Sequence, residues 1–121
     1  MSTERGDTKA RGARGEALAL RYLLQRGYRL VAQNYRVGHK ELDLIVQDGD
    51  VTVFAEVKAR SGASFGTPGE AVTARKRQNL LVAANAYLAR NGLFDAPARF
   101  DVLEVDLVTG KVRHIVDAFG Q

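Results

Sequence analysis

A mixed α/β fold, in which a central β-sheet with both antiparallel and parallel strands is flanked by helices, is what this sequence predicts. Three observations predict it. Apolar and polar residues alternate with period two through Glu41–Arg60 on either side of Asp48-Gly49, the pattern of an antiparallel hairpin. Stretches with helical spacing precede and follow that hairpin, and the second is long enough for a right-handed crossover to a parallel strand. The order helix, three strands, helix, two strands suits helices packed on the faces of a mixed sheet. With 121 residues, 45% of them hydrophobic, the whole chain 1–121 reads as one domain with a real core.

Residues 1–7 are small and polar and read as a loose arm. From about Thr8 to Arg26 the positions Ala13, Ala17, Leu20 and Leu24 step by four, three and four, which predicts an amphipathic helix with these residues inward and Arg11, Arg14, Arg21 and Arg26 outward. Gly27 ends it. Glu16 lies beside the apolar stripe with no basic residue three or four positions away, so its partner must come from another element. The alternative is a carboxylate favoured by the N-terminal half of its own helix.

Tyr28–Arg36 reads as a strand whose alternation is blurred at Ala32-Gln33-Asn34, and Val37-Gly38-His39 turns the chain into the hairpin. If the hairpin loop is Asp48-Gly49, then Gln47 opposes Asp50, Asp43 opposes Phe54 and Glu41 opposes Glu56. After Arg60, a Gly/Ser loop leads to a second helix capped by Thr67 or by Thr73, with Leu80, Leu81, Ala84, Tyr87 and Leu88 inward and Asn91-Gly92 as its stop. Ala98–Val108 and Val112–Phe119 are the last two strands, joined by Thr109-Gly110.

Composition narrows the chemistry. There is no cysteine, and His39 and His114 are too few and too scattered for a zinc site, so oxygen ligands remain. The N-terminus has no apolar core of a signal peptide and no stretch is long enough to span a bilayer, which predicts a cytoplasmic protein without a membrane partner. The net charge is +4 and the isoelectric point about 9.7. Residues 1–40 carry nine Lys/Arg against three Asp/Glu, and the remainder nine against eleven, so a basic half precedes an acidic hairpin. That polarity suits a polyanion held by its phosphates beside a cation site, although a basic half that only aids solubility is equally compatible with charge alone.

The hairpin gathers Glu41, Asp43 and Glu56 with Lys58 on one face. Like charges across strands repel, and a hard divalent ion bound through one or two carboxylates offsets that repulsion. A solvated strand face neutralised by Lys40, Lys58 and other bases is the plainer reading of the same pattern.

Asp43 followed by Glu56-Val57-Lys58, in this element order, resembles the PD-(D/E)XK nucleases of restriction-endonuclease-like fold. More closely, Gly15 to Val105 looks like the YraN-like family of uncharacterised bacterial proteins. The resemblance rests on Gly15-Glu16-x-x-Ala19, Gly27-Tyr28, Asn34-Tyr35-Arg36, Glu41-Leu42-Asp43-Leu44-Ile45, Glu56-Val57-Lys58, Glu70-Ala71-Val72 with Lys76, and Arg99-Phe100-Asp101-Val102. Lys40 departs from that family, which usually has glycine there. The resemblance implies an α-β-β-β-α-β core, with Asp43 and Glu56 as ligands of Mg²⁺ or Mn²⁺, the Val57 carbonyl as a third and Glu16 reaching over as the helix-1 acid of archaeal Holliday-junction resolvases does. Glu41 would be an outer ligand, and Asp43, Glu56 and Lys58 the catalytic set, Lys58 orienting water or stabilising charge at phosphorus. His39 reads as a surface histidine before it reads as an acid or base. Arg11, Arg14, Arg36, Lys40, Arg75, Lys76 and Arg77 are the expected nucleic-acid contacts, DNA being the expected partner and a homodimer left open. A metal-dependent nuclease on branched or single-stranded DNA is the first expectation. A non-catalytic nucleic-acid-binding module and an interaction subunit with a vestigial site are the others.

Overall fold

The computed structural model describes residues 3–61 and 73–119, with side chains from Ala10 onward. Its elements are α1 (Thr3–Gln25), β1 (Arg29–Val37), β2 (Lys40–Asp48), β3 (Val51–Arg60), α2 (Ala74–Arg90), β4 (Ala98–Asp106) and β5 (Val112–Phe119). They form one five-stranded sheet in the order β1-β2-β3-β4-β5. The first three strands make an antiparallel meander, β3 and β4 run parallel with Phe54 beside Phe100, and β5 returns antiparallel. The crossover through the helix that carries Lys76 is therefore as the sequence predicts.

One layer of the core lies under α1 and contains Ala19, Leu23, Leu44, Val46, Val53, Ala55, Leu103 and Val105. The other lies under α2 and contains Leu42, Ile45, Phe54, Leu80, Ala84, Tyr87, Phe100 and Val102. Helices on both faces explain why Leu44, Ile45 and Val46 are all fully buried in succession instead of alternating with solvent.

Two expectations are corrected. The first concerns α1, which starts at Thr3 where composition suggests a loose arm. Its buried line is Gly15, Ala19 and Leu23, whereas Ala13, Ala17 and Leu24 are exposed and Leu20 is half-buried. Close approach decides this rotation. A Cβ at Gly15 would stand 2.7 Å from the Cβ of Ala59 on β3, so the helix lies on the sheet where its side chains are smallest. Gly15→Ala is expected to push α1 off β3 and destabilise the protein by about 1–3 kcal/mol. Urea denaturation checks this, and an unchanged midpoint refutes the contact.

The second correction concerns the hairpin loop. Asp48 pairs with Val51, so the loop is Gly49-Asp50, and Ile45, not Asp43, opposes Phe54. Gly49 has φ +61° and takes the first loop position, where a positive φ is needed and Asp50 need not supply one. The shift is two residues, so facing is preserved while partners change.

The cap of α2 is one of the two that the sequence offers. Thr73 accepts the Lys76 N–H at 3.2 Å, and the helix starts at Ala74. Residues 62–72, which contain most of the Gly/Ser loop and the rival cap Thr67, lie outside the described residues. The expected inward residues of α2 are buried except Leu81, which is half-buried, and Ala83 joins them. Gly92, at φ +65°, closes the helix as its N–H donates to the Ala89 carbonyl.

Candidate functional site

Glu56 does not lie on a solvated face. Glu56 is only 5% exposed, because α2 and the apolar side chains Leu42, Phe54, Leu80 and Phe100 close over that part of the sheet. The paired ladder between β2 and β3 runs from Asp48–Val51 to Leu44–Ala55, and just past it Asp43 turns its side chain into the gap. There its Oδ2 accepts the Val57 N–H at 2.9 Å. An extended residue directs its N–H and C=O to the same neighbour, so the Val57 carbonyl faces β2 as well.

The Asp43 and Glu56 carboxyls meet. Burial first, then the hydrogen bond that the protonated Asp43 donates to Glu56 and the charge of Glu56, push the Asp43 carboxyl up to about 8, against the opposing pull of the Val57 N–H and Lys76. At neutral pH the pair holds a shared proton. Lys76 of α2 reaches Glu56 Oε2 at 3.0 Å. Burial opposes the charge on Lys76, but the Glu56 and Asp43 carboxyls outweigh it and its ammonium keeps its proton above the usual lysine range. Glu56 Oε1 is buried with no hydrogen-bond partner. A buried carboxylate oxygen without a donor is costly, and it marks a place where a cation or a donor belongs.

Glu16 is near but turned. Asn34 Nδ2 donates to Glu16 Oε1 at 3.1 Å, which supplies the partner that its own helix lacks. Burial raises the Glu16 carboxyl, the Asn34 bond lowers it, and the Asp43 and Glu41 charges raise it further. Asn34 has φ +50°, a conformation asparagine tolerates, and it interrupts the alternation of β1 at the place where the sequence blurs. That blur was the available signal for Asn34. Glu41 pairs with Arg36 at 3.5 Å, an exposed contact that is worth little in stability.

Among the described residues no three His, Asp or Glu side chains converge closely enough to hold an ion by themselves. A divalent ion here would take Asp43 and Glu56, then waters and phosphate oxygens, which is the donor pattern of Mg²⁺. The unpartnered Glu56 Oε1 and the hard carboxylate pair fit it.

The expected nucleic-acid residues divide. Lys40, Arg75 and Lys76 come together with His39 and Glu41 along a groove of about 320 Å³ beside the carboxyl pair. Arg36 stands next to it on β1 through Glu41. Arg11 instead donates to Ser61 Oγ at 2.7 Å, just past the end of β3, and Arg14 donates to the Leu107 carbonyl. The Arg77 guanidinium lies 6.0 Å from the Phe119 ring, toward β5. Lys58 is exposed and has no ion pair or hydrogen bond among the described residues. Lys76, assigned from sequence to phosphate, is thus the base that neutralises the carboxyl pair, and Lys40 and Lys58 are not.

A family model described as uncharacterised protein family UPF0102 matches residues 15–105. A UPF0102 protein of Symbiobacterium thermophilum is 53% identical over 95 residues, 78% of this chain and 80% of that protein. One from Clostridioides difficile is 40% identical over 113 residues, 93% of this chain and 99% of that protein. One from Nocardia farcinica is 47% identical over 115 residues, 93% and 87% respectively. The family match spans Glu16, Asn34, Asp43 and Glu56 and the strands β1 to β3 that carry three of them. The chain belongs to the uncharacterised protein family UPF0102, the YraN-like family.

Proposed function

We propose that this protein is a metal-dependent nuclease of restriction-endonuclease-like fold that hydrolyses phosphodiester bonds of DNA. One observation carries the reading: Asp43 and Glu56 meet in a desolvated pocket and leave Glu56 Oε1 without a partner. Two desolvated carboxyls in contact destabilise the fold unless a proton or a cation intervenes, a place that the shared proton and Lys76 take in the ion-free protein. The helix, three-strand, helix, strand order and the mixed sheet support the fold assignment.

Asp43 and Glu56 hold Mg²⁺ or Mn²⁺, with the Val57 carbonyl on the same side and Glu16 at the periphery. When bound, such an ion neutralises phosphate charge and makes water acidic enough to attack near neutral pH. Lys58 lies two residues from Glu56 on the same strand face, exposed and unpaired among the described residues, so its ammonium is available to the phosphate. Lys40 and Arg75 line the groove beside the pair and position the strand by its phosphates.

A second reading, a nucleic-acid-binding module without cleavage, is favoured by the Lys76 ammonium, which bonds Glu56 Oε2 and offsets the charge of the pair without a metal. Incubation of the pure protein with linear, flapped and four-way DNA, with Mg²⁺ or Mn²⁺, decides between them. Metal-dependent cleavage supports the nuclease, and binding without cleavage under either ion supports the module. Lys58→Ala is expected to keep the ion and lose rate by about 10²–10³-fold, since the ammonium stabilises charge and is not a ligand. Calorimetric loss of the ion in that variant would contradict this division of roles.

A further inference from the structure

Beyond Glu56, the same face of the sheet carries a second charged group. Lys58 stands opposite Glu104 in the parallel register of β3 and β4, and Glu104 stands opposite Arg113 on β5. Glu104 is fully buried. Its natural partner by register is Lys58, but Arg60 and Arg113 take it instead. Arg113 Nε donates to Oε1 at 2.6 Å and a second Arg113 nitrogen contacts the same oxygen. Arg60 Nη2 reaches Oε2 at only 3.5 Å, while Arg60 Nε is buried without an acceptor.

We propose that Lys58, Arg60 and Arg113, arrayed on the buried carboxylate of Glu104, form a second anion subsite that holds the phosphate neighbouring the one cleaved. The inference rests on the nucleic-acid reading above and deepens it. Its charge arithmetic is unequal: Lys58, Arg60 and Arg113 share this end of the sheet with two carboxylates, Glu104 and the Asp106 that stands opposite Arg60, and Lys58 has no partner among the described residues. A purely structural ion pair needs one guanidinium for one carboxylate, with its donors used. Here the Arg60 contact is at the outer limit of a hydrogen bond and its Nε is idle, so this guanidinium gains donors' worth of bonding by turning to an anion.

The spacing also fits a strand of nucleic acid. Lys58 lies one pleat repeat from Glu56, about 7 Å, and Arg113 lies two strands across from Lys58, about 10 Å. A chain whose scissile phosphate sits at the carboxyl pair therefore carries its next phosphates over this row. Glu104 fixes the two guanidiniums and, by occupying them, keeps its own charge from capturing Lys58. Glu104 is a positioning residue here, and the arginines make the contact.

The test is equilibrium binding of single-stranded and duplex oligonucleotides to the full chain in EDTA, over a range of salt. Arg113→Gln and Arg60→Gln are each expected to lower the log–log salt slope by about 0.7 for single strands or about 0.9 for duplex, and Arg113→Lys to retain it. The double variant Glu104→Gln with Arg113→Gln removes the buried charge along with its partner, so folding survives and the same slope loss is read in a folded protein. Slopes equal to wild type in the double variant and in Arg60→Gln overturn the subsite and leave the nuclease reading standing. Salt-independent binding by wild type, or none, overturns both. Wild-type binding with the predicted slope losses but no cleavage in Mg²⁺ upholds the subsite and removes only catalysis.

Discussion

Asp43→Asn is expected to abolish divalent-ion binding and phosphodiester cleavage together, the latter by at least about 10²-fold, and to leave the ion-free protein more stable at neutral and alkaline pH. Burial and the neighbouring Glu56 push the Asp43 carboxyl up to about 8. A carboxyl raised in the folded state binds its proton more tightly there than in the unfolded chain. Its contribution to stability is fully present below the ordinary aspartate value of about 4 and is lost as pH rises through about 8. Asparagine imitates the protonated acid and removes that slope. In the wild type, an ion at a hundred times its dissociation constant adds about 2.7 kcal/mol, and in the variant it adds none. Calorimetric titration with Mg²⁺ and thermal denaturation from pH 5 to 9, each with and without the ion, measure all of this. A variant that still takes up the ion, or cleaves as fast as wild type, removes Asp43 from the site.

The other large effect is structural. Asp101→Ala is expected to cost about 3–5 kcal/mol, because it strips the shared acceptor from a buried polar network. Asp101 is fully buried, and its carboxylate accepts from Arg99 Nε at 3.0 Å and from the Asp117 N–H at 2.9 Å, with His114 Nε2 at 2.7 Å. Arg99 extends the network to Tyr28, whose hydroxyl lies 2.8 Å from Nη2, and to Asp48 at 3.2 Å. The Tyr22 and Tyr28 rings pack edge-on against His114. One carboxylate therefore ties the end of α1, the β2–β3 turn and the edge strand β5 together. Burial acts to raise the Asp101 carboxyl, but His114, Arg99 and the Asp117 N–H outweigh it and hold it below the usual aspartate range. This depressed group contributes stability above the unfolded value of about 3.9, and that stability is lost as pH falls through the lower folded value. Asp101 lies on the α1 side of β4, opposite the face that carries Glu104, so nucleic-acid binding by the fraction still folded should keep its salt slope. A denaturation midpoint within experimental error of wild type would show that the network contributes nothing.

Much of this architecture is written locally. Period-two alternation around a glycine turn, two stretches of helical spacing and a crossover of sufficient length were enough for the mixed sheet and for a parallel strand at Phe100. The proximity of Asp43 and Glu56 survives the two-residue error in the hairpin loop, because an even shift keeps facing within the ladder, although the alternation of β2 breaks at Asp43, with Leu42 and Ile45 under α2 and Leu44 under α1. The buried line of α1 was not legible in the same way. Large apolar residues suggest Leu20 and Leu24 as the inward ones, whereas contact with Ala59 selects Gly15, Ala19 and Leu23, and a helix cannot report from its own spacing how near a strand will come.

By itself, then, the sequence determined the element order, the hairpin and the chemistry open to a cysteine-free, basic chain. Tertiary structure decided which partner most of the carboxylates meet. Lys76 reaches Glu56, Asn34 reaches Glu16, Arg60 and Arg113 reach Glu104, and Arg99 with His114 reaches Asp101. Most of these partners are far apart in the chain, and Coulomb attraction between long side chains has no periodicity to leave in a sequence. It is fixed by how closely α1 and α2 lie on the two faces of the sheet. That closeness removes water from the carboxylates and makes each pairing strong enough to choose.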